Sequence, residues 1–183
     1  MRLVIVALLG CLAQPALAAS WTVDPAQSEI AFSGTSSGKA FKGAFVAWTA
    51  SVDFDPDKPE AGKVSVSVDL ASARTGDTTY DKTLPTRDWL DSGSSSKAEF
   101  VTTSIKRGEE PGRYVAEGSL ALRGASVPVS LPFTLAINGD KAEMTGRAVL
   151  RRLDFAIGKT SDAAGSWVSL EIPVDVKVVA TRR

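Results

Sequence analysis

Val127, Val129, Leu131, Phe133, Leu135 and Ile137 occupy every second position of one unbroken stretch. Val168, Leu170, Ile172, Val174, Val176 and Val178 repeat the pattern near the C-terminus, and Val64, Val66, Val68 and Leu70 do so earlier. Apolar residues at period two all fall on one face of a β-strand and leave the other face wet. Weaker runs of the same kind cover 28–34, 43–54, 97–105, 114–122 and 142–150, so the chain predicts eight strands. Short glycine-containing links at 123–126 and 138–140 read as hairpin turns. The proline-rich stretches 55–59 and 109–112 read as loops, and the strands should be mostly antiparallel.

Eight antiparallel strands form either a sandwich or a closed barrel. The inward positions mix small residues (Ala50, Ala116, Gly118, Gly146, Ala148) with large ones. A sandwich fills both inner faces with bulk, whereas an eight-stranded barrel can keep room for one small ligand. For any one glycine the alternative is relief of bending at a barrel corner. The expected fold is therefore an all-β, eight-stranded antiparallel barrel. Its expected inner face comprises Ile30, Phe32 and Trp48, then Val66 and Val68, then Leu120 and Leu122, then Leu131 and Phe133, and finally Leu150 and Leu170.

One segment breaks the alternation: TGDTTYDKTLPTRDWLDS, residues 75–92. Asp77 can cap a short helix, Tyr80 and Leu84 then share a face, and Pro85 stops it. Thr86 can cap a second turn that presents Trp89 and Leu90. Residues 77–90 thus read as a helical lid over one barrel end. Its charged residues Asp81, Lys82, Arg87 and Asp88 form an ordinary solvated face on one reading. On the other, Lys82 or Arg87 meets the polar head of a ligand whose tail lies inside. The Arg151-Arg152 pair is a further head-group candidate at the rim.

The chain starts with Arg2, an apolar run from Leu3 to Ala13, and small residues at Ala16 and Ala18. This is the pattern of a secretory signal peptide cut after Ala18, leaving 19–183 as a single domain and placing it in the periplasm. A rival reading takes Leu8-Leu9-Gly10-Cys11 as a lipobox with a lipidated Cys11. Cut after Ala18, the chain has no cysteine, so stability must come from its core. The cut removes Arg2 alone, so acids and bases balance to within one charge, and no basic run is present. Nucleic acid and anionic membrane surfaces are poor partners for such a chain. No stretch is long enough and apolar enough for a spanning helix.

The sequence has no histidine. This removes Ser-His-Asp triads and the commonest metal ligand, and the missing cysteine removes thiolate chemistry. No catalytic or metal-binding residue is assigned. Gly34-Thr35-Ser36-Ser37-Gly38 is a loop without a following helix to cradle phosphate. A two-carboxylate glycosidase, with its tryptophans lining a cleft, is the enzyme reading left open.

Five stretches in order resemble the YceI-like family. They are Trp21-Thr22-Val23-Asp24 with Ser28, Ile30 and Phe32; Phe54-Asp55 with Pro59, Val64 and Val66; and Asp81-Lys82 with Leu84 and Asp88-Trp89-Leu90. The last two are Gly118-x-Leu120-x-Leu122-x-Gly124 with Pro128-Val129, and Asp154-Phe155-Ala156-Ile157-Gly158. The resemblance implies a lipocalin-like barrel, a periplasmic or secreted location, and a long apolar ligand such as a polyisoprenoid or quinone, with no other cofactor. Phe155, Leu84 and Trp89 join the expected ligand contacts. Members of this family have histidines flanking the aspartate-lysine pair, where this chain has Thr78 and Thr83, so a histidine head-group role cannot apply here. Three classes stand at this point: a lipid carrier, an interaction barrel with a filled interior, and a small hydrolase or lyase. A homodimer is compatible with all three.

Overall fold

The computed structural model describes residues 19–183. The expected cleavage site and Cys11 lie outside the described residues. Eleven strand segments build one sheet: β1 (Ser20–Val23), β2 (Glu29–Ser36), β3 (Lys39–Phe45), β4 (Trp48–Asp53), β5 (Lys63–Asp69), β6 (Ala73–Arg74), β7 (Lys97–Arg107), β8 (Arg113–Leu122), β9 (Ala125–Asn138), β10 (Lys141–Arg151) and β11 (Glu171–Arg182). The first six are halves of three bent strands, because β1 and β2 both pair with β11, while β4 and β3 take β5 and β6 respectively as partners. Pairing of β1 with β4 and of β2 with β3 closes the ring. The result is an eight-stranded antiparallel barrel in which every strand neighbours the next in sequence.

The bends have local causes. Asp69 caps a 3₁₀ turn, Leu70–Ser72, by accepting from the Ala71 N–H at 2.9 Å. The buried Ser72 hydroxyl then donates to the Asp69 carbonyl and accepts from the Ala47 N–H, so the breaks in two adjacent strands are stitched together. The bend at Val46-Ala47 throws Val46 out of phase. It is 69% exposed, while Trp48, Ala50, Val52 and Phe54 still face inward. The single run expected over 43–54 is therefore two segments.

Proline shapes one seam. The Leu135 N–H donates towards β8, to the Gly112 carbonyl at 2.8 Å, so even-numbered residues of β9 direct their backbone towards β10. Pro128 and Pro132 fall on that side and have no N–H to give. The β9–β10 ladder accordingly ends at Phe133–Gly146, whereas β8–β9 runs the full length of β8. The glycines expected to leave volume do something else. The Phe100 ring lies over Gly118, and the Phe133 Cβ and Pro132 carbonyl crowd Gly146. Bulk on the adjacent strand fills the missing side chain, which is neither empty space nor a corner.

Two apolar clusters close the ends. At one end Trp21, Phe54, Ile105 and Tyr114 are buried, with Tyr114 stacked on Phe133 at 5.3 Å and edge-on to Phe54 at 5.4 Å. At the other, Phe32, Leu70, Leu90, Leu122 and Phe155 pack together beneath the non-alternating segment. No helix among the described residues is long and apolar enough to cross a membrane.

Candidate functional site

Between the end clusters lies a cavity of about 240 Å³. Its walls come from every barrel strand, and among the described residues Thr102 is the only lining residue outside the apolar and aromatic set. The Thr102 hydroxyl is occupied, accepting from the Val64 N–H at 2.9 Å where a bulge interrupts β7. An apolar cavity of this kind stays dry, because water inside finds no partners.

Of the inner-face residues expected from the sequence, Ile30, Trp48, Val66, Val68, Leu120, Leu122, Leu131, Phe133 and Leu150 line this cavity. Phe32 and Phe155 sit in the cluster above it. Leu170 does not face the interior: it is 40% exposed and packs on Gly165. The regular strand starts at Glu171, and the chain before it is committed to other bonds, with Ser37 donating to the Trp167 carbonyl and Ser169 to the Thr35 carbonyl. Alternation alone could not reveal where the strand stops. Phe45 also lines the cavity and escaped the period-two reading, because it stands beside a bend; Phe100 lines it from within the run expected over 97–105, but was not among the inner-face residues named.

The lid is present. Asp77 caps helix α1 (Thr78–Thr83), accepting from the N–H groups of Thr79 and Tyr80 at 2.8 and 3.2 Å. The following residues form turns rather than a second helix. The Thr86 hydroxyl does not cap them but donates back to the Thr83 carbonyl at 2.7 Å. Leu90 alone of the lid's apolar set reaches the main cavity. Tyr80, Leu84 and Trp89 line a second pocket of about 260 Å³, shared with Phe32, Phe41 and Trp167. The Phe32 ring stands between the two spaces, 5.2 Å from Phe45 on the cavity side and 6.4 Å from Phe41 on the lid side.

The expected head-group cations are not in either lining. Lys82, Arg87 and Arg151 are exposed. Arg152 is 2% exposed and fully engaged: it donates to the carbonyls of Ile157, Asp162, Val168 and Ser169 and pairs with the Asp162 carboxylate at 2.9 Å. Its guanidinium also lies 5.7 Å from the Trp89 ring centroid. Arg152 is therefore the organiser of the 152–169 loop rather than a rim contact for a ligand. Burial pushes the Asp162 carboxyl up, but the N–H groups of Val168, Trp167 and Ser166 and the Arg152 charge outweigh it and hold the group below its ordinary value.

Asp88, read as one member of a solvated face, is a clasp. Its carboxylate accepts from the Thr160 and Ser161 N–H groups, each at 3.0 Å, and from the Ser161 hydroxyl at 2.6 Å. The Ser161 hydroxyl is the main reason its pKa falls to about 2, with the two backbone N–H groups adding to it against burial. A carboxylate with a depressed folded pKa stabilises fully above its unfolded value near 4 and loses that contribution as pH drops through the folded value. Protection factors at Thr160 and Ser161, taken against the intrinsic rate at each pH, should therefore be high at neutral pH and fall as pH approaches 2. In Asp88→Asn they should be low at both. Equal protection in the two proteins at neutral pH would refute the clasp.

Comparison with known proteins fits this architecture. The model of the YceI-like domain matches residues 21–180. This chain belongs to the YceI-like family. Curated relatives of the YceI-like chain include a UPF0312 protein of Pseudomonas savastanoi pv. phaseolicola, 32% identical over 140 residues and covering 70% of this chain and 71% of that one. Protein YceI of Escherichia coli O6:H1 is 31% identical, covering 73% and 72%. Among solved structures, BcnA of Burkholderia cenocepacia superposes with a TM-score of 0.84 at 29% identity, over 87% of this chain and all of that one. A polyisoprenoid binding domain from Saccharophagus degradans superposes at 0.67 with 16% identity, over 91% and 99%, a likeness of fold. Among the described residues no three His, Cys, Asp or Glu side chains gather as a metal site.

Proposed function

We propose that this YceI-like protein is exported to the periplasm and holds a long apolar molecule of isoprenoid type, either a polyprenyl chain or the tail of a quinone, inside the barrel. The observation that carries the reading is the apolar cavity inside the barrel, whose lining among the described residues offers no free polar group. Each CH₂ moved there from water contributes about 0.8 kcal/mol, so several isoprene units outweigh the ordering of a flexible tail. The polyisoprenoid binding domain of S. degradans shares the fold and supports the same class of ligand. Transport, storage or sequestration would all use such a site.

Protein purified from a bacterial periplasm without detergent, extracted with organic solvent and analysed by mass spectrometry, should release an isoprenoid near one equivalent. An extract without lipid, together with no uptake of an added four-isoprene alcohol, would reject the carrier and favour an interaction barrel.

A further inference from the structure

The barrel wall is unpaired along part of one seam. β10 pairs with β11 over its whole length, from Lys141 to Arg151, but with β9 only from Lys141 to Gly146. Even-numbered residues of β9 direct their backbone groups at β10. Continued in register, the next pairs to exchange backbone bonds would be Pro132 with Arg147, Ser130 with Val149 and Pro128 with Arg151. Such a pair gives one bond in each direction, and proline removes one from the first and one from the third. We propose that this seam is a lateral passage, held open by Pro128 and Pro132, through which an apolar isoprenoid tail enters and leaves the barrel. Such a passage rests on the carrier reading, because it needs a tail to move.

Side chains on both banks of the unpaired stretch bond away from it. Where the ladder is intact, the Thr134 and Thr145 hydroxyls meet across the seam at 2.9 Å. Beyond it, Ser126 bonds to Ser119 and Ser130 donates to Glu117, both on β8. On the other bank Arg147 donates twice to Asp175 of β11, at 2.6 and 3.1 Å. The outer rim is left to Pro128, Pro132 and Val149, the last 53% exposed, with the exposed Arg151 at its lid end. On the inner side Val129, Leu131, Ala148 and Leu150 line the cavity. Apolar side chains thus lead from the rim through the wall. Parting β9 from β10 here breaks no ladder pair, and each strand stays held by its other neighbour. Lifting the lid instead takes three hydrogen bonds from the Asp88 carboxylate, one from the Asp88 carbonyl and one from the Arg87 carbonyl. Each of these adds to the barrier even when water replaces it, so the seam is the easier way in.

Pro128→Thr/Pro132→Thr restores the two N–H groups and should close the seam. Amide exchange at Ser130 and Val149, read by NMR, should be fast in the parent and about tenfold slower in the variant. Release of the four-isoprene alcohol to excess phosphatidylcholine vesicles, followed by tryptophan fluorescence, should slow about tenfold as the restored bonds raise the barrier. Uptake should slow as much, because a passage acts on both directions alike, and Kd should stay within about threefold. Pro132→Thr alone, beside the last intact pair, should show a smaller slowing of both rates. Arg123→Met, which frees the Arg87 carbonyl of the lid, should leave both rates within about twofold of the parent, since the lid is not the way in. A closed seam with parental rates overturns the passage and leaves the carrier reading intact. So does faster exchange in Arg123→Met with parental rates in the proline variant. A seam still unprotected after both prolines are replaced overturns the role given to them and the passage with it. Failure of the parent to take up the alcohol overturns both the passage and the carrier.

Discussion

Replacing Arg152 with Met should lower stability by about 3–5 kcal/mol, the cost of breaking a buried ion pair by removing one partner. Four carbonyls lose the guanidinium's N–H groups at once, and the Asp162 carboxylate loses its counter-charge, around a side chain that is only 2% exposed. For a domain of this size that is a drop in Tm of roughly 10 °C or more. Asp162→Asn keeps the shape but removes the charge opposite a buried guanidinium, and should fall in the same range. The neighbouring change Arg151→Met removes a solvent-facing cation and should stay within about 0.5 kcal/mol of the parent. Thermal and urea melts of the three variants decide it. If Arg152→Met and Arg151→Met melt alike, the guanidinium is not what holds the 152–169 loop.

That contrast shows what a sequence can and cannot disclose. Arg151 and Arg152 are adjacent and chemically identical, and nothing local tells them apart. Their difference arises where β10 ends: Arg151 still projects from the strand, while Arg152 opens a 3₁₀ turn that rotates it under Trp89. The Ala156 backbone then adopts φ 54° and Gly158 φ 65°, folding the chain back so that Ile157 presents its carbonyl to the same guanidinium. The barrel walls were legible because period two is a backbone property, and burial of one face enforces the register along each strand. Bends, bulges and strand ends were not, because they depend on bonds between residues far apart in sequence, such as Ser72 to Ala47 or Ser37 to Trp167.

The lid was legible as an interruption, but its attachment was not. Two of the stretches that resemble the family touch each other in the fold. The Asp88 carbonyl accepts from the Gly158 N–H, and the Asp88 carboxylate takes the two residues that follow Lys159. Trp89 then lies against Gly158 on one side and in the lid pocket on the other. The aspartate-tryptophan-leucine step is thus divided by role: Asp88 fastens the loop, Trp89 walls the pocket, and Leu90 plugs the barrel. The carboxylates of Asp77, Asp81 and Asp88 all serve the architecture of this segment, and neither space is lined by a charged residue among the described ones.

Filling the main cavity should abolish binding while leaving the barrel folded. Ala116 on β8 and Ala148 on β10 are both buried and both face the cavity. A phenyl ring at each position takes a large share of about 240 Å³, and the tail that would have lain there stays in water. Losing four buried CH₂ groups already forgoes about 3 kcal/mol. Affinity for the four-isoprene alcohol should therefore fall by more than about 100-fold in Ala116→Phe/Ala148→Phe. Stability should change little, because newly buried ring area offsets the ~1–3 kcal/mol that overpacking costs. Should the double variant fail to fold, Ala148→Phe alone tests the same point with a smaller expected loss. Ser119→Phe, on an exposed outward hydroxyl that meets Ser126, is the matched control and should bind like the parent. A filled barrel that still binds the alcohol with parental affinity would place the ligand somewhere other than the interior.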